Sequence, residues 1–393
     1  MDTTAIDILT FSNQTKQDRA LLRRFVDFAW QHYQQDPHYI PLLDYEYLGF
    51  KLIGMTGFFE PQNLFFEHGE MAFFLAVRRG QVVGRCNAFV NHNHNEHWKD
   101  KVGFFGQFES IDDQRVADAL LRAAAKWLKM RGMDTMRGPQ NLPVNEATPG
   151  IMIEGFDSQP VIYYHYNKPY YKTLLENAGF QVAKRYLSWE VTVARPVPEK
   201  VDRVVNKVIK RYNLLFEFWK ERPLAQRKKE MFDIYNDAWN NNYGFVPFTQ
   251  AEFYSIIDDM QLVMDSDLFL FCYVDNELAA FFGGVPNITE RMRPIGWCPR
   301  CELLRAAKML LTKGKTKGFR TGYLGIKKRY QGRGLDGVML WKQHEGLNKK
   351  GKYAYSNLGW TLEDNMRVIR MAELFGGKLV KVYAIYEKKI PLQ

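Results

Sequence analysis

The sequence predicts an α/β protein assembled from two successive units, and three observations carry that prediction. A chain of 393 residues is long for a single hydrophobic core. Segments of helical and of strand periodicity follow one another in the first half in an order that the second half repeats. Between the halves, Pro196 and Pro198 interrupt both periodicities, which puts a linker near residues 196–200.

In the first half, residues 18–32 read as a helix with apolar positions at Leu21, Leu22, Phe25, Phe28 and Ala29. Strands follow at 71–77 and 81–90, joined by an Arg-Gly turn, and then at 102–108. Residues 116–130 form an amphipathic helix with Ala117, Leu120, Leu121, Ala124, Trp127 and Leu128 on one face. A strand near Thr135, a helix over 169–177 and a strand ending at Val193 complete the unit. The second half has helices at 231–239 and 250–260, then a hairpin of 268–274 and 277–285 around Asp275-Asn276. A strand at 323–326, a helix to about residue 347, a strand over 353–358, a helix over 364–374 and a strand over 378–388 follow.

Apolar residues make up 46% of the chain and charged residues 25%, the balance of an ordinary soluble protein. Aromatic residues, at 15%, suit large cores or an apolar ligand channel. No run reaches the ~18 uninterrupted apolar residues of a membrane span; the best, 268–285, is broken by Asp275, Asn276 and Glu277. The opening residues have no basic segment before an apolar one, and four cysteines make no disulfide framework, so a cytoplasmic chain without a signal peptide is expected.

The net charge of +10 is unevenly placed. No acid lies between Glu302 and Asp336, a stretch that holds Arg305, Lys308, Lys313, Lys315, Lys317, Arg320, Lys327, Lys328, Arg329 and Arg333. Such a stretch attracts a polyanionic ligand, an anionic membrane surface or nucleic acid. For Lys313, Lys315 and Lys317 a plain solvated face explains the charges equally well.

The most informative motif is Arg329-Tyr-Gln-Gly332-Arg333-Gly334, between the strand-like Tyr323-Leu-Gly-Ile326 and the helix beginning at Leu335. The first N–H groups of a helix have no intrahelical partner, and the helix dipole favours an anion beside them. Gly332 and Gly334 let the backbone come close to that anion or take positive φ.

These residues resemble the GNAT superfamily of acyl-CoA N-acyltransferases, whose pyrophosphate loop reads Q/R-x-x-G-x-G/A between a strand and a helix. Arg329, Gly332 and Gly334 match it, and Asn365 and Gly376 match a second family pattern, an Asn followed eleven residues later by Gly. The first half closes on a related Glu176-Asn-Ala-Gly179-Phe180, although Asn167 stands one residue too early. The resemblance implies two tandem units, 1–197 and 198–393, each a twisted, mostly antiparallel mixed sheet flanked by helices. Gly138-Pro-Gln-Asn141, Glu154-Gly-Phe-Asp157 and neighbouring segments also resemble a little-characterised bacterial group of two-unit GNAT proteins. Members of that wider group are linked to N-acylation of sphingoid long-chain bases, giving ceramide-type lipids.

By resemblance, acyl-CoA is the co-substrate. The turn at Gln331, Gly332, Arg333 and Gly334 would hold the pyrophosphate of coenzyme A, with charge-assisted contacts from Arg329 and Arg333. Leu324, Gly325 and Ile326 would pair with the pantetheine, and Asn365 would complete the cofactor set. The family's acid, a Tyr seven residues after the helix Asn, is Ala372 here. Tyr383 and Tyr386 on the next strand are substitutes, with Asn365 beside them and Glu363 or Asp364 to accept the amine proton. Acids at a helix N-terminus are equally expected as caps.

Asn141, Asn145 and Glu146, in a loop with Pro139, Pro143 and Pro149, are candidates to line the acceptor pocket. The first unit's counterpart of the glycine turn is Glu109-Ser-Ile-Asp-Asp-Gln-Arg115, with no glycine and three carboxylates. Those charges should repel a diphosphate by about 1–4 kcal/mol per pair at short range. The unit is then a platform that completes the acceptor pocket or shields an acyl chain. His92, His94 and His97 could supply three zinc ligands, but they sit in a polar turn without a fourth, and no metal is expected. Cys298 and Cys301 have metal or redox spacing but lack a second pair, and an unpaired, reduced thiol pair is expected.

The expected function is acyl transfer from acyl-CoA to a small-molecule or lipid amine, a long-chain base among them. Peripheral contact with the inner membrane face is expected through Lys313, Lys315 and Lys317. Transfer from an acyl carrier protein or aminoacyl-tRNA stays open, as does a non-catalytic protein that binds CoA or an acyl ligand. Nucleic acid as such is not an expected partner.

Overall fold

The computed structural model describes residues 5–51, 54–145 and 147–391. Its first half runs β1 (Asp7–Phe11), α1 (Lys16–His32), α2 (Asp44–Leu48), β2 (Gly69–Arg78), β3 (Gln81–Asn91), α3 (His92–Trp98), β4 (Val102–Ser110), α4 (Gln114–Lys129), β5 (Thr135–Gly138), β6 (Ile151–Glu154), α5 (Tyr171–Asn177) and β7 (Gln181–Thr192). The second half runs α6 (Glu199–Arg211), β8 (Leu214–Phe218), α7 (Leu224–Ala238), α8 (Gln250–Met260), β9 (Phe269–Val274), β10 (Glu277–Pro286), α9 (Glu302–Thr312), β11 (Gly318–Ile326), α10 (Leu335–Lys350), β12 (Tyr355–Leu362), α11 (Met366–Leu374) and β13 (Lys378–Lys389). This is the expected α/β class, with mostly antiparallel sheets flanked by helices.

The elements gather into two compact units that are not continuous in sequence. Unit 1 comprises Met1–Tyr186, Met292–Ala306 and Lys381–Gln393; unit 2 comprises Leu187–Arg291 and Ala307–Val380. Most of β13 therefore serves unit 1, while β7 from Leu187 onward serves unit 2.

In unit 1 the strand order is β1-β2-β3-β4-β5-β13, with β6 also on β13. Among the described residues of this unit β4 and β5 pair in parallel, and the other pairings are antiparallel. The β2–β3 turn is tight because Arg79 and Gly80 both take positive φ, at 51° and 78°, the twist a two-residue hairpin needs. Side chains alternate across β2, so the sheet feeds two cores. Ala72, Phe74 and Ala76 pack with Leu120, Ala124 and Leu128 of α4. Phe73, Leu75 and Val77 pack with Leu22, Phe25 and Val26 of α1. The N-terminus of α1 is closed by a capping box between Thr15 and Asp18.

Unit 2 has β12-β11-β10-β9-β8, with the latter part of β7 beside β12. The β9–β10 turn again uses positive φ, here at Asp275 (51°) and Asn276 (65°). Leu270, Cys272, Val274 and Phe282 meet Leu335 and Met339 of α10 on one face. On the other face the Trp239 ring at the end of α7 meets Phe281, with ring centroids 5.9 Å apart.

Several elements escape the periodicity reading, namely β1, α2, β6, α6, β8 and α9. β1, β6 and β8 are only five, four and five residues long, too short for alternation to stand out. β11 begins at Gly318, five residues before the apolar run, because residues 318–321 pair with β12 and residues 319–321 with β10. The expected polar turn around His92 is the short helix α3. Cys298 and Cys301, expected as free thiols, form a disulfide across a turn in which Cys301 N donates to Cys298 O.

Candidate functional site

In unit 2 the chain leaves β11, makes a 3-10 turn over Lys328–Tyr330 and enters α10 through Gly332 and Gly334. Both glycines have positive φ, 76° and 83°. Gly334 is the N-cap of α10 and has no side chain with which to cap it. The N–H groups of Gly332, Arg333, Gly334 and Leu335 find no acceptor among the described residues. An added Cβ at Gly334 would come within 3.0 Å of Val208 Cγ2, whereas Gly332 faces open space. The turn is braced from beneath by Gln331 Nε2, which donates to Ile326 O at 3.0 Å, and by the Tyr330 hydroxyl, which donates to Glu277 at 2.9 Å. Four free amides at a helix N-terminus suit an anion.

The strand before the turn is open along one side. β11 pairs with β10 as far as Ile326, but with β12 only from Gly318 to Thr321. The register shifts where Gly283 pairs with Tyr323 and Gly284 with Thr321, leaving Gly322 as a bulge. Past that bulge no strand among the described residues pairs with 324–326 on the β12 side. An exposed strand edge offers main-chain donors and acceptors to an extended ligand. The open edge runs directly into the turn.

Arg329 and Arg333 both stand over the Tyr330 ring, Arg329 at 4.7 Å. Arg329 is paired with Glu277 at 2.6 Å, both exposed; Arg333 stacks over the Tyr330 ring at 5.3 Å. Asp336, in the first turn of α10, is neutralised by Arg367 at 2.6 Å. Leu324 and Ile326 join the core, and Gly325 is buried where a Cβ would meet Ile234 Cγ2 at 2.5 Å. Asn365 is the N-cap of α11, its Oδ1 accepting from Val368 N at 3.3 Å. Glu363 and Asp364 precede that cap rather than forming it. Ala372 is 1% exposed and packs with Trp189 and Ile369, which leaves no room there for a tyrosine.

Tyr383 and Tyr386 belong to unit 1, not to the unit that carries the turn. Tyr383 is fully buried beside Tyr164, and its hydroxyl has no hydrogen-bond partner among the described residues. Burial pushes its pKa well up. Tyr386 donates to Glu176 at 3.3 Å. A cavity of about 360 Å³, lined by Lys220, Asp265, Lys313 and Lys352 among others, opens by residues that precede β9 and β12, at the opposite end of the strands from the turn.

Unit 1 closes both features that unit 2 leaves open. The parallel β4–β5 pairing ends at Phe104 and Arg137, and the gap beyond is filled by the following loop. Gln140 N donates to Phe105 O at 2.7 Å, and Asn141 Oδ1 accepts from Gln107 N at 2.6 Å. Asn141 is held in turn by His165 Nε2 at 2.8 Å. Asn141 thus occupies the place of a strand partner. Asn145 lies further along the loop, and Glu146 falls outside the described residues.

The N-terminus of α4 is capped by Asp113, whose Oδ1 accepts from Arg115 N at 3.0 Å. Hydrogen bonds from Arg115 and Arg78 hold that carboxyl well below its usual range. Of the three carboxylates read into this turn, Glu109 is not in it. It is buried in the core, accepting from the Tyr33 and Tyr171 hydroxyls, each at 2.5 Å. Burial raises its pKa, against the pull of Arg85. Unit 1's counterpart of the turn is thus capped by Asp113, and the strand gap beside it is filled by Asn141.

Around Glu109 lies a polar cluster that periodicity could not show, because its members come from α1, β3, β4 and α5. Arg85 Nη2 stands 3.8 Å from Glu109 and 3.3 Å from Gln107 Oε1. The Tyr171 hydroxyl is 3.0 Å from His32 Nε2. Since Tyr171 gives its proton to Glu109 and Tyr170 gives its own to Ser110 O, His32 Nε2 carries the hydrogen. A run of tyrosines at 163, 164, 166, 170 and 171 was the one sequence signal available.

No family model matches the chain. It is 29% identical over 387 residues to Protein YghO of Escherichia coli (strain K12), covering 94% of this chain and 93% of the relative. It is also 29% identical over 405 residues to the bacterial ceramide synthase of Caulobacter vibrioides, covering 99% of each. In structure it matches a tandem GNAT protein from the clavulanic acid biosynthesis pathway with a TM-score of 0.56, at 9% identity, covering 98% of this chain and 99% of that one. At such low identity the likeness speaks for the fold. The chain has the fold of a tandem GNAT protein.

Proposed function

We propose that the protein is an N-acyltransferase that takes its acyl group from acyl-CoA and passes it to the amine of a lipid long-chain base. The observation that carries the donor is the α10 N-terminus, where four amides without acceptors among the described residues follow a strand edge that β12 does not pair. The residues present fit coenzyme A, with the turn's amides and Arg333 for its diphosphate and strand 324–326 for its amide-bearing arm. When bound, the acyl thioester supplies the activated carbonyl that an amine attacks. The chain's own part is to hold the diphosphate at Gly332 and Gly334 and to align the arm along β11. A β11 N–H on the open side would steady the carbonyl oxygen. The acceptor class is supported by the similarity over the full length to a relative named bacterial ceramide synthase.

Thermal-shift measurements with CoA, acetyl-CoA and palmitoyl-CoA test the donor. Stabilisation by palmitoyl-CoA beyond that by CoA is expected, and Gly334→Val should abolish both shifts. No shift with any CoA species would refute acyl-CoA as donor. Mass spectrometry of products from palmitoyl-CoA and a long-chain base tests the acceptor. An acylated water-soluble amine, with the long-chain base untouched, would overturn the lipid assignment.

A further inference from the structure

Helix α9 is built inside out. Leu303, Leu304, Ala307, Leu310 and Leu311 follow the i, i+1, i+4, i+7, i+8 spacing of one helical face, which in a soluble protein points to the core. Here that face meets solvent: Leu311 is 84% exposed, Leu303 61%, and Leu304 and Leu310 42% each. The opposite side carries Arg305, which is 0% exposed. Its guanidinium donates to Pro41 O at 2.6 Å and Met292 O at 3.2 Å, and pairs with Glu302 at 2.7 Å. Those bonds fix the roll of the helix, so the leucines stay outward. Trp297, just ahead of the helix, is 79% exposed. The face requires only that α9 be unbroken, as it is from Glu302 to Thr312.

We propose that this face docks on an anionic lipid bilayer. A contiguous exposed apolar stripe marks a partner surface, and its charges choose the partner. Lys308 flanks the stripe, while Lys313, Lys315 and Lys317 follow its C-terminal end with no acid between Glu302 and Asp336. Leucines on one face, a tryptophan at one end and lysines alongside make a helix that lies in a membrane interface. A second copy of the chain on the same face would set these lysines against themselves, which disfavours self-association. The lysine run alone would be a solvated face; the outward leucines beside it give it a surface to meet. The proposal stands apart from the acyl-transfer reading.

Flotation with vesicles tests it directly. The protein should float with vesicles containing phosphatidylglycerol, float far less with pure phosphatidylcholine, and dissociate as salt rises to about 0.5 M. Leu310→Ser/Leu311→Ser and, separately, Leu303→Ser/Leu304→Ser should each lower vesicle binding about tenfold or more. Their thermal unfolding and CoA binding should match the parent, so a failed fold or a failed donor reading is told apart. The proposal is overturned if the parent ignores phosphatidylglycerol vesicles or if both leucine pairs bind as the parent does. It is equally overturned if light scattering finds a lipid-free dimer that the leucine changes dissociate, which would give the face to a second copy.

Discussion

Two glycines and one histidine show how far single residues decide behaviour here. Gly332 and Gly334 both hold positive φ, but only Gly334 has a neighbour in the way, Val208 at 3.0 Å. Gly332→Ala should cost about 1 kcal/mol in urea unfolding, the penalty of left-handed backbone alone. Gly334→Ala should cost more, and a smaller loss than at Gly332 would show that Val208 yields freely. His32 is held neutral by burial, then by Lys168 and Arg85, with its pKa lowered to about 4 from 6.5. The unfolded chain takes up this proton near pH 6.5, whereas the folded chain refuses it until about pH 4. Stability should therefore fall as pH drops through that window, by at most about 3 kcal/mol from this group, and level off below it. Urea midpoints at pH 7 and pH 5 should lie closer together in His32→Gln than in the parent; an equal gap would remove His32 as the cause.

At the scale of elements, two helices in the same setting differ in how they begin. α4 starts on Asp113, whose side chain satisfies the Arg115 amide, and α10 starts on Gly334, which has no side chain to satisfy any. Asp113→Ala should cost about 1 kcal/mol as a lost cap, yet calorimetry should still find one CoA site per chain, since Gln140 and Asn141 fill the adjoining strand gap. A second site in that variant would show that the cap alone closed unit 1. Asn365 caps α11, so Asn365→Ala should also lose about 1 kcal/mol and Asn365→Asp should recover most of it. Thermal unfolding of the pair decides whether the side chain acts there mainly as a cap. The turn and its flanking strand were legible in the sequence because glycine spacing and apolar runs are local signals. The filled gap at Asn141 was not, because it depends on where a loop with three prolines returns to a strand more than thirty residues earlier.

For the molecule as a whole, the units exchange chain segments. Unit 1 buries Arg305, Tyr383 and Tyr386, all supplied from beyond residue 290. Residues 1–197 expressed alone should therefore lack cooperative thermal unfolding and be cut rapidly by protease. A sharp transition with native near-ultraviolet dichroism would show that the later segments are dispensable. The sequence by itself determined the α/β class, the hairpins and most helices, and the glycine turn before α10, since each is written in periodicity or turn chemistry over a few residues. Only the tertiary structure decided which strand completes which unit, that the first unit's groove is filled, and that the leucines of α9 face outward. Those outcomes depend on contacts between residues far apart in the chain: Arg305 reaching the carbonyl of Pro41 turns the helix, and no local pattern records that reach.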